Sequence, residues 1–318
     1  MFKIKINNKN YINGIDIDGS IVTIGNFDGI HLGHLALFKE LDNLANYYRQ
    51  LGKCYKKIVV SFEPLPIEYF FDQSGKERLT RLSLLRDKYL ILKELGYIDE
   101  FIILRFNAKL QKMEAVDFIN EILINNLRAR HVVIGHDFRF AKNASGSKDD
   151  LLKLGLQVSV LTPILVDGMR VSSSLIRSYA VNNRFDLVGM YLGRNLQYTS
   201  RVIYGNQLGR KFGVPTINLC LGKNRPSLWG IFFVYVYIDG IKYNAVASTG
   251  KNPTISDSDI YKLEAHLLGI DMNLYGKIAT IEFLQFLRPE KKFDNLDILF
   301  KQIHQDLADA RVFFDKLN

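Results

Sequence analysis

The chain has 318 residues, of which 47% are hydrophobic and 24% are charged, and its formal net charge at pH 7 is +9. This composition is typical of globular proteins and excludes an intrinsically disordered chain, while the length predicts about two domains. The basic residues are dispersed, so we do not expect a tail that binds nucleic acid, although the positive sign suits phosphorylated ligands.

The N-terminal residues 1–6 alternate apolar and basic side chains and lack the continuous apolar stretch of a signal peptide. The longest apolar run, 231–238, is too short to span a bilayer. We therefore expect a cytoplasmic protein without a membrane partner. Cys54 and Cys220 lie far apart and outside any CxxC pattern, which predicts two buried or partly buried free thiols in a reducing compartment.

The first half of the chain alternates strand and helix signals. Short apolar or β-branched runs predict strands at 21–24, 58–62, 101–106, 131–134 and 157–161. Apolar residues at helical spacing predict helices at 35–48, 82–95, 114–126 and 149–154. This alternation favours a mostly parallel sheet with right-handed crossovers, which binds ligands beyond the carboxyl ends of its strands.

Residues 25–34, GNFDGIHLGH, join the first predicted strand to the first predicted helix. Three glycines let the backbone approach a ligand, and the helix N-terminus supplies N–H groups that suit phosphate. His31 and His34 lie three residues apart, so both rings can face one pocket and stabilise charge on a phosphorus centre or on departing pyrophosphate. The alternatives are a metal site, for which further ligands are lacking, and a purely structural pair.

The pattern changes near residue 185, which predicts two domains, 1–185 and 186–318. The second half shows mostly strand signals, at 201–204, 231–238, 242–248, 261–268 and 278–286. Asp239-Gly240 between two of these runs predicts a hairpin turn. We expect an antiparallel barrel, followed by an amphipathic helix over 296–310.

Residues 205–218, GNQLGRKFGVPTIN, form a second chemically dense segment. Its glycines, together with Arg210 and Lys211, indicate a mobile loop over phosphates. Thr216 and Asn218 alternate along an extended stretch, so their side chains can face one way. A hydroxyl and an amide oxygen suit Mg²⁺, which keeps waters and phosphate oxygens as its other ligands. The alternative is an ordinary glycine-rich barrel loop.

In the first half, four segments in order resemble the bacterial bifunctional riboflavin kinase/FAD synthetase family. They are GNFDGIHLGH at 25–34, SFEPLP at 61–66, GHDFRF at 135–140 and VSSSLIR at 171–177. The resemblance implies that His31 and His34 are catalytic and contact the phosphates of ATP. It assigns ATP or phosphate binding to Gly25, Phe27, Asp28, Gly33, Ser173 and Arg177, and flavin binding to Asp137 and Phe138.

In the second half, further segments match the riboflavin kinase part of the same family. They are GRKFGVPTIN at 209–218, TGKNPT at 249–254, LEAHLL at 263–268 with LYG at 274–276, and RPEKKF at 288–293. The resemblance implies that Glu264 is the general base that takes the proton of the riboflavin 5′-hydroxyl. It assigns ATP binding to Gly209, Arg210 and Gly213, and Mg²⁺ binding to Thr216 and Asn218.

The resemblance runs from about residue 20 to residue 311. It implies an α/β Rossmann-like nucleotidyltransferase domain, followed by an antiparallel six-stranded β-barrel riboflavin kinase domain with a C-terminal helix. The implied reactions convert riboflavin and ATP to FMN and ADP, and then FMN and ATP to FAD and pyrophosphate, with Mg²⁺ as cofactor.

The chain departs from the family pattern at several positions. Residues 141–144 read AKNA where the family has a glycine and then a Gly-Arg pair, and Leu65 stands where histidine is usual. Three alternatives therefore stay open: a riboflavin kinase with weak or lost FAD synthetase activity, an unrelated nucleotidyltransferase, and a non-catalytic flavin- or RNA-binding regulator. The sequence does not give the oligomeric state, and a homo-oligomer stays open.

Overall fold

A computed structural model describes residues 3–6, 18–205, 209, 213–251, 261–270, 272–293 and 295–317. The chain divides into two compact units. Unit 1 comprises Met1–Leu79 and Lys88–Ser172, and unit 2 comprises Thr80–Asp87 and Ser173–Asn318. The boundary expected near residue 185 between two functional domains stays a prediction.

Unit 1 is built on a six-stranded sheet in which each described pair of neighbouring strands is parallel. Its strands are β1 (Lys3–Ile6), β2 (Gly19–Ile24), β3 (Tyr55–Glu63), β4 (Glu100–Arg105), β5 (Ala129–Gly135) and β6 (Gln157–Leu161). The strand order is β1-β4-β3-β2-β5-β6. Every residue of the central strand β2 is buried, as expected for a strand covered on both faces. The predicted α/β class of the first half is confirmed.

Helical segments connect these strands. They are α1 (Leu32–Gln50), α2 (Pro66–Ser74), α3 (Leu85–Leu95), α4 (Ala108–Gln111), α5 (Ala115–Asp117) and α6 (Lys148–Lys153). A π-helical segment, Phe118–Asn126, continues α5, so the helix predicted over 114–126 is mostly of this wider type. The short strands β7 (Leu165–Val166) and β8 (Met169–Arg170) pair as an antiparallel ribbon. The sequence patterns did not predict α2 or β1.

Two clusters of buried polar side chains connect elements of unit 1, and both lie away from the carboxyl ends of its strands. The Glu100 carboxylate is 2% exposed and lies 2.9 Å from the ammonium groups of both Lys5 and Lys56. In the second cluster, His131 lies 3.0 Å from the Tyr48 hydroxyl and 2.9 Å from the Ser159 hydroxyl. Burial lowers the pKa of His131 below its ordinary value of 6.5.

Unit 2 contains a closed six-stranded barrel with the order β10-β13-β12-β11-β14-β9, and neighbouring strands are antiparallel. Its elements are α7 (Ser173–Val181), α8 (Phe185–Leu192), β9 (Gln197–Ile203), β10 (Ile217–Cys220), β11 (Gly230–Ile238), β12 (Ile241–Lys251), β13 (Tyr261–Leu267), β14 (Ile278–Arg288) and α9 (Leu296–Asp315). The turn between β11 and β12 has positive φ at Asp239 (51°) and Gly240 (82°), as a tight hairpin requires. The predicted antiparallel barrel and C-terminal helix are confirmed.

The barrel strands alternate buried and partly exposed side chains, so each strand presents one row to the barrel interior and one row to the outside. Helix α9 covers part of the outer surface. Phe233 packs there against Ala310 and Phe314, all three of which are at most 4% exposed. The outer row of the barrel therefore includes positions that α9 shelters from water.

The segment Thr80–Asp87 is held in unit 2 by hydrogen bonds to the barrel and its loops. The carbonyl oxygen of Arg81 accepts bonds from the hydroxyl groups of Tyr198 (2.6 Å) and Ser227 (2.7 Å). The Asp87 carboxylate accepts a bond from the Thr199 N–H at 2.6 Å. Burial raises the pKa of Asp87 to about 7, against the lowering effect of the hydrogen bonds it accepts from Leu84 and Thr199.

Other expectations need correction. Cys54 and Cys220 are free but exposed, rather than buried or partly buried, because the first follows the turn after α1 and the second ends β10 on its outer row. Helices α7 and α8 lie in a region for which the sequence patterns predicted no helix. None of the helices among the described residues combines the length and the apolar character that a membrane span requires.

We expect Tyr198→Phe to lower the free energy of unfolding by about 2 kcal/mol, because the buried N–H of Ser227 donates to the Tyr198 hydroxyl at 2.9 Å and would lose that acceptor. Urea-induced unfolding measures the change. Tyr47→Phe, at a residue that is 55% exposed, is the matched control and should change little. Equal losses in both variants would contradict the assignment.

We also expect His131 to make the protein less stable in mild acid. Its folded-state pKa is depressed, so below pH 6.5 the unfolded chain binds more protons at this site than the folded chain, and stability falls as the pH falls. His131→Gln should reduce the loss of unfolding free energy between pH 7.5 and 5. Urea titrations at several pH values test this, with the exposed residue His304→Gln as control. An unchanged slope in His131→Gln would refute it.

Candidate functional sites

In unit 1, the loops that follow β2 and β5 open at the same edge of the sheet. Strand β2 pairs with β3 on one side and with β5 on the other, and all three run parallel. The chain passes from β2 through α1 to β3, whereas β5 is reached later, so the strand order reverses at β2. Open α/β sheets bind ligands in the crevice at such a reversal. The two predicted motifs of this unit, 25–34 and 135–140, follow these two strands.

The structure brings His31 and His34 together at the N-terminus of α1. Their rings stack with centroids 3.6 Å apart and an interplanar angle of 15°. His31 is the N-cap residue, and its Nδ1 accepts a weak bond from the His34 backbone N–H at 3.4 Å. In a neutral His31 ring, Nε2 then carries the proton and is a hydrogen-bond donor. Helix dipole and imidazole donors favour an anion here.

The loop before α1 has an unusual backbone. Phe27 (φ 46°), Gly29 (φ 85°) and Ile30 (φ 43°) all adopt left-handed conformations, which is rare for a β-branched residue such as Ile30. Backbone of this kind turns N–H groups inward and often lines anion sites. A Cβ on Gly33 would lie 3.2 Å from the His31 ring, so a small residue there lets that ring fold over the first turn.

Side chains outside the motif hold this loop in place, and no sequence pattern predicted these contacts. The carbonyl oxygen of Asn26 accepts bonds from Lys88 Nζ at 2.7 Å and from Ser61 Oγ at 3.2 Å. Lys88 and Ser61 are 1% and 0% exposed. Asp28, in the same loop, is 2% exposed. Lys88 lies 62 positions from Asn26 along the chain, so no local pattern could reveal the contact.

The two predicted flavin-binding residues follow β5. The Asp137 carboxylate accepts a bond from Arg170 at 2.6 Å, and this bond is the main reason that the pKa of Asp137 lies below its usual range. Phe138 stacks on Phe140 with centroids 5.6 Å apart, and it packs against the hydrophobic core of unit 1. Their assignment to a flavin pocket stays a prediction.

The departure from the family pattern at 141–144 has a structural counterpart. Ala141 (φ 62°), Asn143 (φ 53°) and Ala144 (φ 56°) all have left-handed backbone. Ala141 also has ψ −169°, a combination that is essentially restricted to glycine. The loop therefore keeps a backbone suited to glycine while carrying side chains. The Lys142 ammonium is paired with Glu114 at 2.5 Å.

Two of the residues predicted to bind the phosphates of ATP in adenylyl transfer belong to unit 2 rather than to unit 1. Ser173 and Arg177 lie on α7, which belongs to unit 2, whereas both histidines belong to unit 1. Their contact with the triphosphate stays a prediction.

An aromatic cluster that no sequence pattern predicted lies near the ends of β3 and β4. The Phe106 ring centroid is 6.0 Å from that of Phe62, 5.4 Å from that of Tyr69 and 6.0 Å from that of Phe70. Phe70 is 42% exposed, so part of the cluster faces solvent. Partly exposed aromatic faces can stack on a planar ring system. Its members lie on β3, on α2 and just after β4, so they give no periodic signal in the sequence.

In unit 2, the predicted metal-binding pair lies at the start of β10. Thr216 lines two neighbouring cavities, a narrow one of about 50 Å³ that it shares with Asn218 and a larger one of about 250 Å³ that it shares with Glu264. A Cβ on Gly205 would overlap the Asn218 amide, so only glycine fits beside that side chain. Three oxygen-bearing side chains of the kind that Mg²⁺ prefers therefore lie on neighbouring positions.

Glu264 is placed by the barrel register. It is the direct cross-strand partner of Asn218 on β10 and of Ser248 on β12. These positions belong to the outer, partly exposed row of their strands. The Lys262 ammonium lies 3.7 Å from the Glu264 carboxylate. The register thus gathers an amide, a carboxylate and a hydroxyl from three strands into one row.

The larger cavity lies between this row and α9. It is lined on the helix side by mostly apolar residues, namely Leu299, Phe300, Ile303, Asp306 and Leu307. On the barrel side it is lined by residues that include Thr216, Ser248, Glu264, His266 and Arg288. An apolar wall that faces a few polar groups is typical of a small-molecule site.

The RPEKKF segment contributes Arg288 to the wall of this cavity. Arg288 makes a two-pronged ion pair with Asp306 of α9, at 2.9 and 2.6 Å, and Asp306 is 4% exposed. Burial and, next, the negative charge of Glu264 raise the pKa of Glu290 above its ordinary value. Gly250 makes room for Glu290, because a Cβ on Gly250 would lie 2.5 Å from both carboxylate oxygens.

The predicted phosphate loop of unit 2 is described only in part. Gly209 and Gly213 are described, and a Cβ on Gly209 would overlap the Val214 carbonyl oxygen. Gly213 has φ 75°, which favours glycine. Arg210 lies outside the described residues, so its predicted contact with ATP stays a prediction. Among the described residues, no group of three or more His, Cys, Asp or Glu side chains forms a metal cluster.

Comparison with known families gives two matches that follow each other along the chain. The family described as FAD synthetase matches residues 15–175, and the family described as riboflavin kinase matches residues 192–314. The first covers strands β2 to β6 of the unit 1 sheet but not β1, and the second covers the barrel and all but the last residue of α9 in unit 2.

Curated relatives match nearly the whole chain and carry the name bifunctional riboflavin kinase/FMN adenylyltransferase. The protein of Pseudomonas fluorescens is 36% identical, over 92% of this chain and 92% of its own. That of Escherichia coli K12 is 34% identical, over 93% of each chain. A crystal structure from Streptococcus pneumoniae, described as a macrolide-efflux protein, is 26% identical and aligns with a TM-score of 0.75 over 97% of this chain and 98% of its own.

We expect Ala141→Gly to raise the free energy of unfolding by about 1 kcal/mol, because relief of the backbone strain exceeds the entropy that glycine loses on folding. Ala36→Gly, inside α1, is the matched control and should lower it by about 1 kcal/mol. Thermal unfolding followed by calorimetry measures both. Destabilisation by Ala141→Gly would show that its backbone is not strained.

Proposed function

The chain belongs to the family of bifunctional riboflavin kinases/FMN adenylyltransferases, and we propose how its residues divide the two reactions. It is an enzyme that phosphorylates riboflavin to FMN and adenylylates FMN to FAD, and it uses ATP in both steps. The observation that carries the proposal is that each family match contains one gathered set of polar groups, around His31 and around Glu264.

For adenylyl transfer we place the reaction at the N-terminus of α1, within the proposed domain 1–185. An oxygen of the FMN phosphate attacks the α-phosphorus of ATP, and the bond to the departing pyrophosphate breaks. The stacked rings of His31 and His34 would donate hydrogen bonds to the charge that develops on the phosphates. The glycine loop and its left-handed backbone let N–H groups approach those phosphates.

The aromatic cluster near the ends of β3 and β4 is the best support for a flavin position in unit 1. The isoalloxazine ring is planar and mostly apolar, and it suits the partly exposed faces of Phe70 and Phe106. Asp137 and Phe138, which the family resemblance assigns to the flavin, follow β5, and β2 lies between β5 and β3 in the sheet.

For phosphoryl transfer we place riboflavin in the cavity under α9, within the proposed domain 186–318. Glu264 lines this cavity and would take the proton of the 5′-hydroxyl as its oxygen attacks the γ-phosphorus of ATP, with ADP as the leaving group. The narrow cavity next to it would take part of the nucleotide, because Thr216 lines both spaces. Arg288 and Asp306 fix the helix that forms the apolar wall.

The donor set at the start of β10 fits a magnesium ion. The Thr216 hydroxyl and the Asn218 amide oxygen would hold it, and the glycine at 205 leaves room for the amide. When bound, the ion would neutralise charge on the transferred phosphoryl group. We also place the enzyme in the cytoplasm, where its substrates riboflavin, FMN and ATP would meet it.

Two variants separate the reactions. We expect Glu264→Gln to slow riboflavin phosphorylation about 100-fold while FAD still forms from added FMN, because only the first step needs this proton acceptor. We expect His31→Asn to slow FAD formation from FMN by a comparable factor while riboflavin phosphorylation continues. The measurement is chromatography of flavins over time with ATP and Mg²⁺.

The matched control for the first variant is Glu282→Gln, which removes a carboxylate of β14 that accepts a hydrogen bond from the Asn195 side chain. It should leave both rates near those of the wild type. If the wild-type enzyme accumulates FMN without forming FAD, adenylyl transfer is lost, and we would attribute that loss to the altered 141–144 loop. Absence of any flavin product would refute the enzyme assignment and favour a flavin- or RNA-binding regulator.

A further inference from the structure

The only lysine of α3 that is almost fully buried lies beside the proposed phosphate loop of unit 1. Lys88 is 1% exposed, and its Nζ donates to the carbonyl oxygen of Asn26 at 2.7 Å. Asn26 is the second residue of the loop that runs from β2 to α1. A lysine side chain is rarely buried to this degree, because transfer of an ammonium group out of water carries a large free-energy cost.

Lys88 makes more than this one interaction. The hydrogen bond to the Asn26 carbonyl oxygen does not by itself require a lysine. Ser61 Oγ already donates to the same carbonyl oxygen at 3.2 Å, and it is a neutral group that is easier to bury. What Lys88 adds is a positive charge within hydrogen-bond distance of the loop. In a buried setting this charge is weakly screened, so it acts more strongly on an anion in that loop than a surface lysine would.

We propose that Lys88 is a positioning residue for adenylyl transfer, which fixes the Asn26 carbonyl and places a cation behind the loop that receives the ATP phosphates. The proposal rests on the proposed function of unit 1. The lysine acts through the loop and through its charge, and it takes no part in bond making or breaking. It stabilises the loop conformation in which Phe27, Gly29 and Ile30 have left-handed backbone angles.

The test uses the full-length enzyme, supplied with FMN and ATP so that FAD formation does not depend on the kinase. We expect Lys88→Met to lower kcat/KM for FAD formation about 100-fold or more, and to weaken inhibition by added pyrophosphate. Lys88→Arg, which keeps the charge, should restore part of the kcat/KM and part of the inhibition by pyrophosphate. Lys88→Gln keeps an N–H donor without the charge, so it should hold the loop and still bind pyrophosphate weakly.

Ser61→Ala is the matched control, since it removes the other donor to Asn26 and leaves the charge in place. It should change pyrophosphate inhibition little. Riboflavin phosphorylation and the thermal unfolding temperature report whether each variant is folded, and the Gln and Arg variants serve if Lys88→Met does not fold.

The proposal would be overturned by a folded Lys88→Met or Lys88→Gln variant with wild-type FAD formation and pyrophosphate inhibition. It would also be overturned if Ser61→Ala matched Lys88→Met in both readouts, because that result would assign the effect to the hydrogen bond alone. Failure of the wild-type enzyme to form FAD would instead refute the proposed function of unit 1, and the two failures are therefore distinguishable.

Discussion

The parallel pairing of β2 with both β3 and β5 is the constraint on which the candidate site of unit 1 depends. Parallel strands end at the same edge of a sheet, so the loop after β2 and the loop after β5 must open together. The helix that follows β2 then directs its N-terminus to that edge and carries His31 and His34 with it. Backbone groups and imidazole rings thus converge on one place without a dedicated metal cluster among the described residues.

Unit 2 gathers its polar side chains on antiparallel strands instead of at the ends of parallel ones. The two-residue alternation of a barrel strand sends Leu263 and Ala265 inward and leaves Glu264 outside, where the register sets it opposite Asn218. An outer row would ordinarily face water. Helix α9 covers it, and the Arg288–Asp306 pair fixes that helix against the end of β14, so the polar row becomes one wall of a sheltered cavity.

Strongly periodic elements were predicted from the sequence, and irregular ones were not. The strand at 157–161 was predicted at its observed bounds, and the helix at 35–48 lies within α1. Helix α2 was missed because it is short and begins at the second of two closely spaced prolines, Pro64 and Pro66, which indicate a turn when read locally. The exposure of Cys54 and Cys220 contradicted the expected burial, since residue type gives only an average tendency and the outer row of β10 leaves its last position open.

The sequence by itself determined the family and the two reactions of this protein, because the motifs that carry the resemblance are short and local, such as the glycine loop with two histidines and the glycine-rich segment that ends in Thr-x-Asn. It also determined the order of an α/β half and a barrel half, since strand and helix periods differ. Only the tertiary structure decided that Thr80–Asp87 packs in unit 2 and that Lys88 supports Asn26. Such contacts join residues far apart in the chain, and their partners are fixed by packing and by the need to satisfy buried polar groups, which no local pattern records.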